Sequence, residues 1–160
     1  MLSEVPLSTA PPTLWLDADG APRAVKEILF RVAERRGLDL VLVANSAQVL
    51  PRSPRIRQVQ VGQGLDVADD WIAAHCRPGD VVITADVPLA ATLVERGALV
   101  LQPRGQVLDA SNVGERLAVR DFLDGMRGAG FDTGGPPPFG PTDRTRFANA
   151  LDRLLTARLR

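Results

Sequence analysis

The chemistry of this chain resides in its aspartates. Asp17 and Asp19 flank Ala18 at the end of the apolar run Leu14-Trp15-Leu16, and Gly20 and Pro22 follow. A buried strand that delivers two acids to the start of a helix is how α/β proteins hold metal ions or phosphates. A third acid, Asp86, follows another apolar run in Ile83-Thr84-Ala85-Asp86, and Asp66, Asp69 and Asp70 cluster just upstream. Crowded carboxylates raise one another's pKa unless a cation sits between them. Fixed cations are scarce here: Lys26 is the only lysine, and Arg23 is the arginine nearest the first pair. A divalent cation is the natural partner, and hard oxygen ligands with room for water suit Mg²⁺ or Mn²⁺. Zinc is disfavoured, because His75 and Cys76 are adjacent and no other His or Cys exists. An ion held this way activates water and stabilises the leaving oxygen in phosphodiester hydrolysis. Thr84 could bind the ion's water or the phosphate, and Arg104, in Pro103-Arg104-Gly105, could meet a phosphate bidentately.

Positioning these residues requires strands that end together. Segments 13–17, 39–44, 56–61, 80–85 and 98–101 read as strands. Segments 22–36, 65–76, 88–96, 112–127 and 142–159 read as helices. Pro22 opens the first helix and Gly37 stops it. The central strands are continuous apolar runs alternating with helices, the pattern of a parallel sheet covered on both faces. Right-handed crossovers then predict an α/β fold of three layers, doubly wound, with a mainly parallel five-stranded sheet in the order 3-2-1-4-5. In that order strands one and four are neighbours, and Asp17 and Asp86 converge at their C-terminal edge, where the winding reverses and ligands bind.

Length and composition fit one domain over residues 13–160, behind a loose proline-bearing leader at 1–12. The formal net charge is zero, so no global field attracts nucleic acid, and any such contact needs a local patch. One cysteine excludes an intrachain disulfide. No stretch reads as a signal peptide or a membrane span, so no membrane partner is expected and the cytoplasm is the expected location.

Each acid has a plainer role open to it. Asp19 could cap the helix beginning near Pro22, and Asp66 the helix at 67–76, with Asp69 and Asp70 complementing its dipole. Asp39 and Asp80 open strands and read as solvated. His75 reads as a helix-end residue, Trp15 and Trp71 as core, and Arg52, Arg55 and Arg57 as a solvated loop or a phosphate-gripping edge.

Other chemistries fit less well. Asp17-Ala18-Asp19-Gly20 resembles the opening motif of haloacid dehalogenase-like phosphatases, but they need a lysine after Thr84 and a later acidic pair. A response-regulator receiver lacks its late lysine. No Gly-Lys-Ser/Thr or dinucleotide glycine fingerprint is present.

Several stretches together carry a wider resemblance: Asp17-Ala18-Asp19, Val25-Lys26-Glu27-Ile28-Leu29, Val41-Leu42-Val43-Ala44-Asn45, Gly64-Leu65-Asp66-Val67-Ala68-Asp69, Ile83-Thr84-Ala85-Asp86-Val87-Pro88, Pro103-Arg104-Gly105, Arg120-Asp121-Phe122 and Thr133-Gly134-Gly135-Pro136. On these the chain resembles the YaiI/YqxD family of bacterial proteins over residues 14–155. The resemblance implies a branch of the PIN-like nuclease fold, whose members set acids around Mg²⁺ or Mn²⁺ and cut RNA. By position, Asp17, Asp66 or Asp69, and Asp86 match that fold's metal-binding acids, and Thr84-Ala85-Asp86 matches its fourth-strand motif. Where the family usually has Ala-Cys-Pro after the second acid, this chain has Gly20-Ala21-Pro22, so its chemistry cannot use that thiol.

The expectation is a metal-dependent nuclease or phosphodiesterase with RNA as its partner. Asp17, Asp66 and Asp86 are its catalytic candidates. Asp17 and Asp86 are the central metal ligands. Asp19, Asp66 and Asp69 are direct or water-mediated ligands, or orient the attacking water. Asn45, Thr84 and Arg104 are the phosphate contacts. The competing expectation is a binding module that keeps fold and acids without turnover, since the proline-rich loop at 45–55 offers no nucleic-acid clamp. The segments 103–111 and 134–138 could close over the crevice or merely link elements. The sequence carries no sign of oligomeric state.

Overall fold

A computed structural model describes residues 10–135 and 137–160. Most of the predicted leader, 1–9, lies outside the described residues. Pro12 is already buried, and the Ala10 carbonyl accepts a hydrogen bond from Arg158.

In chain order the elements are β1 (Leu14–Asp17), α1 (Arg23–Arg36), β2 (Leu40–Ala44), β3 (Ile56–Gln60), α2 (Val67–His75), β4 (Val81–Ile83), α3 (Val87–Glu95), β5 (Leu99–Leu101), β6 (Val107–Leu108), α4 (Val113–Gly128) and α5 (Pro141–Arg158). They build one sheet in the order β3-β2-β1-β4-β5-β6. The first five strands are parallel, and β1 pairs with β2 on one side and β4 on the other, with Leu16 opposite both Leu42 and Ile83. The predicted order 3-2-1-4-5 is therefore present with helices on both faces.

Strand residues alternate between two cores, as the period of two demands. Leu14 and Leu16 pack with Val25 and Leu29 of α1 and Phe147 and Leu151 of α5. Trp15 packs on the other face with Ile72 of α2 and Leu89 and Leu93 of α3. Side chains buried on both faces explain why the central strands read as unbroken apolar runs.

Three expectations change. The sheet has a sixth strand, β6, antiparallel to β5. The segment 103–111, read as a closing element or linker, contains the hairpin turn that leads into it. Gly105, at φ +94°, donates its N–H to the Gln102 carbonyl in that turn. Asp80 is not solvated: it is 3% exposed. Its carboxylate accepts from Thr13 N (3.0 Å), Trp15 Nε1 (3.0 Å) and Arg77 N (2.9 Å). Three donors offset the desolvation that would otherwise exclude a buried acid. The helix α4 buries none of its residues and leaves Phe122 65% exposed. Its sheet face is already covered by α2 and α3, and α4 packs as an outer layer on α3. Trp71, expected in the core, is half-buried and stacks on His75, whose Nδ1 donates to the Trp71 carbonyl at the helix end (2.8 Å).

Candidate functional site

The winding reverses between β1 and β4, and the candidate residues gather at the C-terminal ends of these two strands. Asp17 ends β1, and Thr84 follows β4. The buried Thr84 hydroxyl donates to Asp17 Oδ2 (3.0 Å) and accepts from the Asp86 N–H (3.0 Å). Thr84, expected to meet phosphate or an ion's water, braces the two strand ends here. Asp86 Oδ1 accepts from Leu89 N (2.9 Å), so this residue also caps α3.

Asp66 and Asp69 approach Asp86 from α2. Asp66 precedes that helix at φ 63°, the one positive φ outside glycine among the described residues. Its side chain makes no capping hydrogen bond, so it does not serve as the expected side-chain cap. One carboxylate oxygen from each of Asp66, Asp69 and Asp86 lies within 4.8 Å of the others. Burial, and then the charge of Asp86 and a hydrogen bond shared with it, push the Asp69 carboxyl up to about 7; Asp17 and Asp66 add to the effect. Burial also raises Asp17, against the Thr84 hydrogen bond and with the charges of Asp86 and Asp19. None of these five acids has an ion-pair partner among the described residues.

Asp19 faces a different neighbourhood. Its carboxylate accepts from Asn45 N (2.7 Å) and Ser46 Oγ (3.0 Å). It does not cap α1, which starts behind Pro22 with no side-chain cap. Asn45, expected at phosphate, uses its N–H on Asp19 and its carbonyl on Gln60 (3.3 Å), and it lies outside the adjoining cavity. Of the loop arginines, Arg55 pairs with Asp39 (3.5 Å), and Arg52 and Arg57 stand exposed.

Asp17 and Asp19 form one wall of a cavity of about 840 Å³ that opens on the α1 and α5 side. The far wall is cationic. Arg104, the expected phosphate contact, lines it, pairs with Asp143 (3.0 Å), donates to the Pro137 carbonyl and lies 5.9 Å over the Phe139 ring. Arg146, Asn149 and Arg153 of α5 complete that wall. Sequence reasoning missed these three. Their signal was present: spacings of three and four place them on one face of a helix. The hairpin turn is seated against the same helix, since a Cβ on Gly105 would stand 2.7 Å from the Arg146 backbone.

Comparison with known proteins points one way. A family model described as "Uncharacterized BCR, YaiI/YqxD family" matches residues 15–157. The chain belongs to this family. A "UPF0178 protein" of Bordetella petrii is 52% identical over 147 residues, 92% of this chain and 98% of the relative. Those of Alkalilimnicola ehrlichii and Shewanella baltica are 52% and 51% identical, covering 91% and 89% of this chain and 98% and 95% of theirs. No solved structure matches the chain. No helix among the described residues is long and apolar enough to cross a membrane. The family resemblance drawn from the sequence therefore stands, and Ala21 lines the cavity.

Proposed function

We propose that this chain is a divalent-metal-dependent nuclease or phosphodiesterase acting on RNA, working at the acidic edge of β1 and β4. The observation that carries this is the trio Asp66, Asp69 and Asp86, gathered within 4.8 Å with no basic side chain to neutralise it. Opposed ligands of a six-coordinate Mg²⁺ stand about 4.2 Å apart, twice a metal–oxygen distance of about 2.1 Å. An upper bound of 4.8 Å on the trio's oxygen separations is compatible with that spacing, and its all-oxygen donor set suits Mg²⁺ or Mn²⁺. Asp66, Asp69 and Asp86 would hold the ion, with Asp17 beside them. When bound, the ion supplies an activated water and charge neutralisation at the phosphate.

The chain's own groups do the rest. The Thr84 bridge fixes Asp17 relative to the Asp86 backbone. Asn45 and Ser46 hold Asp19 at the cavity mouth. The Asp69 carboxyl, raised by burial and then by Asp86, marks the uncompensated crowding that a bound cation would relieve. The PIN-like resemblance, whose acids match Asp17, Asp66 or Asp69, and Asp86 by position, supports the same assignment.

The test is Mn²⁺-dependent cleavage of a mixed RNA pool by the wild type, Asp17→Asn and Asp86→Asn, with Mn²⁺ binding followed by calorimetry. Cleavage and Mn²⁺ binding that both fall in the variants are the expected result. Cleavage that persists unchanged in both would overturn the proposal, as would a wild type that takes up no Mn²⁺.

A further inference from the structure

We infer that the cavity between β1 and α5 is a binding pocket for a single nucleoside monophosphate unit, with Arg146 and Arg153 holding its phosphate. The step from such a unit to the terminus of a single-stranded RNA rests on the nuclease reading above; the pocket itself does not.

The volume of about 840 Å³ lies within the usual range for small-molecule sites, and is too small to admit a duplex. Its walls differ in charge. Arg146 and Arg153 project from one face of α5, and neither forms an ion pair among the described residues. A pair of unpaired guanidinium groups beside the amide of Asn149 is a set of donors that matches phosphate oxygens. Arg104 is different: Asp143 fixes it, and it lies over Phe139. That leaves a flat, partly apolar surface of the kind on which a base stacks.

Asp17 and Asp19 occupy the opposite wall, where their acceptor oxygens suit hydroxyl or amino donors and repel a second anion. An acidic peptide would place like charge against them. A ligand with one phosphate at one end and neutral hydrogen-bonding groups at the other satisfies both walls. Asp17 belongs to this cavity and also lies electrostatically beside Asp69 and Asp86, so a nucleotide seated here abuts the acidic cluster. The close seating of Gly105 on α5 makes the cationic wall a built surface of two packed elements.

The test is calorimetric titration of AMP into the full chain in EDTA. Adenosine, inorganic phosphate and a short single-stranded RNA with a terminal phosphate serve as further probes. AMP should bind more tightly than adenosine or phosphate alone, and Arg146→Ala/Arg153→Ala should weaken it about tenfold or more. Arg146→Lys/Arg153→Lys, which keeps the charge, should lose less. The single-stranded RNA should compete with AMP if the pocket takes a terminus; AMP binding without that competition would confine the pocket to free nucleotides and overturn the step to RNA. Absence of AMP binding at millimolar concentration, or equal binding by the doubly substituted variant with its circular dichroism intact, would overturn the pocket. Loss of Mn²⁺ binding and cleavage with AMP binding retained would instead sink the nuclease reading and leave this pocket standing.

Discussion

Asp17 divides the sheet edge into two flanks that have different electrostatic problems. On the α2 and α3 side, Asp66, Asp69 and Asp86 crowd together with no counter-charge, and the Asp69 carboxyl rises to about 7. On the α5 side, Arg146 and Arg153 line a cavity that Asp17 and Asp19 also line and form no ion pair among the described residues, while Arg104 is paired with Asp143. The first flank lacks a cation, whereas the second carries both signs of charge and leaves two arginines without an ion pair among the described residues. The acids are held by the fold against their own electrostatics, and such arrangements concentrate at functional sites. The flanks differ in how they are held. The acids are tied by the Thr84 brace and the α3 cap, whereas the arginines depend on the seating of the hairpin against α5.

The largest effect should come from breaking the acidic flank at Asp86. Because Asp86 also caps α3, alanine would confound two losses, including about 1 kcal/mol of capping. Asparagine keeps an acceptor for Leu89 N and removes only the charge. Asp86→Asn should reduce Mn²⁺-dependent cleavage by about a hundredfold or more with little change in thermal midpoint, the scale expected when a group acting on the transition state is lost. AMP binding in EDTA should stay near the wild-type value, which separates the two flanks. A parallel loss of AMP affinity would show that they are one site.

The converse break is at Gly105. Its φ of +94° disfavours any side chain, and a Cβ there would meet the Arg146 backbone at 2.7–2.8 Å. Gly105→Ala should destabilise by about 1–3 kcal/mol, through strain and the forced separation of hairpin and helix. Urea unfolding measures that cost. AMP affinity should fall while Mn²⁺ affinity holds, because no hydrogen bond or ion pair joins the trio to the hairpin among the described residues.

The two flanks also differ in how far the sequence alone reveals them. Asp17 and Asp86 are legible because each ends or follows an apolar run, and one strand order brings those ends together. The five parallel strands follow from the same pattern. The two-residue β6 is too short for any periodicity to register. Asp80 and Asp39 look alike in sequence, each opening a strand. Only tertiary donors from Thr13, Trp15 and Arg77 make one buried and leave the other exposed. The arginine wall is a polar helix face in sequence; that it lies against Asp17 depends on which side of the sheet α5 covers. Asp66 looks like a helix cap because it stands where a cap stands, but its left-handed backbone accompanies a side chain that makes no capping bond.

A smaller effect tests the charge crowding without reference to activity. Asp69 in the folded chain titrates near 7, well above the ordinary carboxylate value of about 3.9. The folded state therefore binds this proton more tightly than the unfolded state. The resulting stabilisation is complete below about pH 4 and is lost as pH rises through about 7. In EDTA, the wild-type thermal midpoint should fall between about pH 5 and about pH 8. Asp69→Asn should flatten that decline, and Mn²⁺ should raise the wild-type midpoint most at the higher pH, where the trio is fully charged. An identical pH slope in Asp69→Asn would remove Asp69 from the strained group.

The smallest effect lies on the boundary between the flanks. Asp19 is held by one backbone donor, Asn45 N, and one side-chain donor, Ser46 Oγ. Ser46→Ala removes the second, together with the hydrogen bond that Gln48 Nε2 donates to the same hydroxyl (3.2 Å). Asp19 and Ser46 are exposed, so water replaces the lost hydroxyl and the stability change should be no more than about 0.5–1 kcal/mol. The Asp19 carboxylate nevertheless gains rotational freedom at the cavity mouth. If its role is to orient the hydroxyl end of a bound nucleotide, Ser46→Ala should weaken AMP binding by about two- to threefold and leave Mn²⁺ binding unchanged. If Asp19 instead serves the ion through water, the Mn²⁺ titration should shift and the AMP titration should not. This exposed serine therefore decides which of the two flanks Asp19 belongs to, which its place beside Asp17 in the chain leaves open.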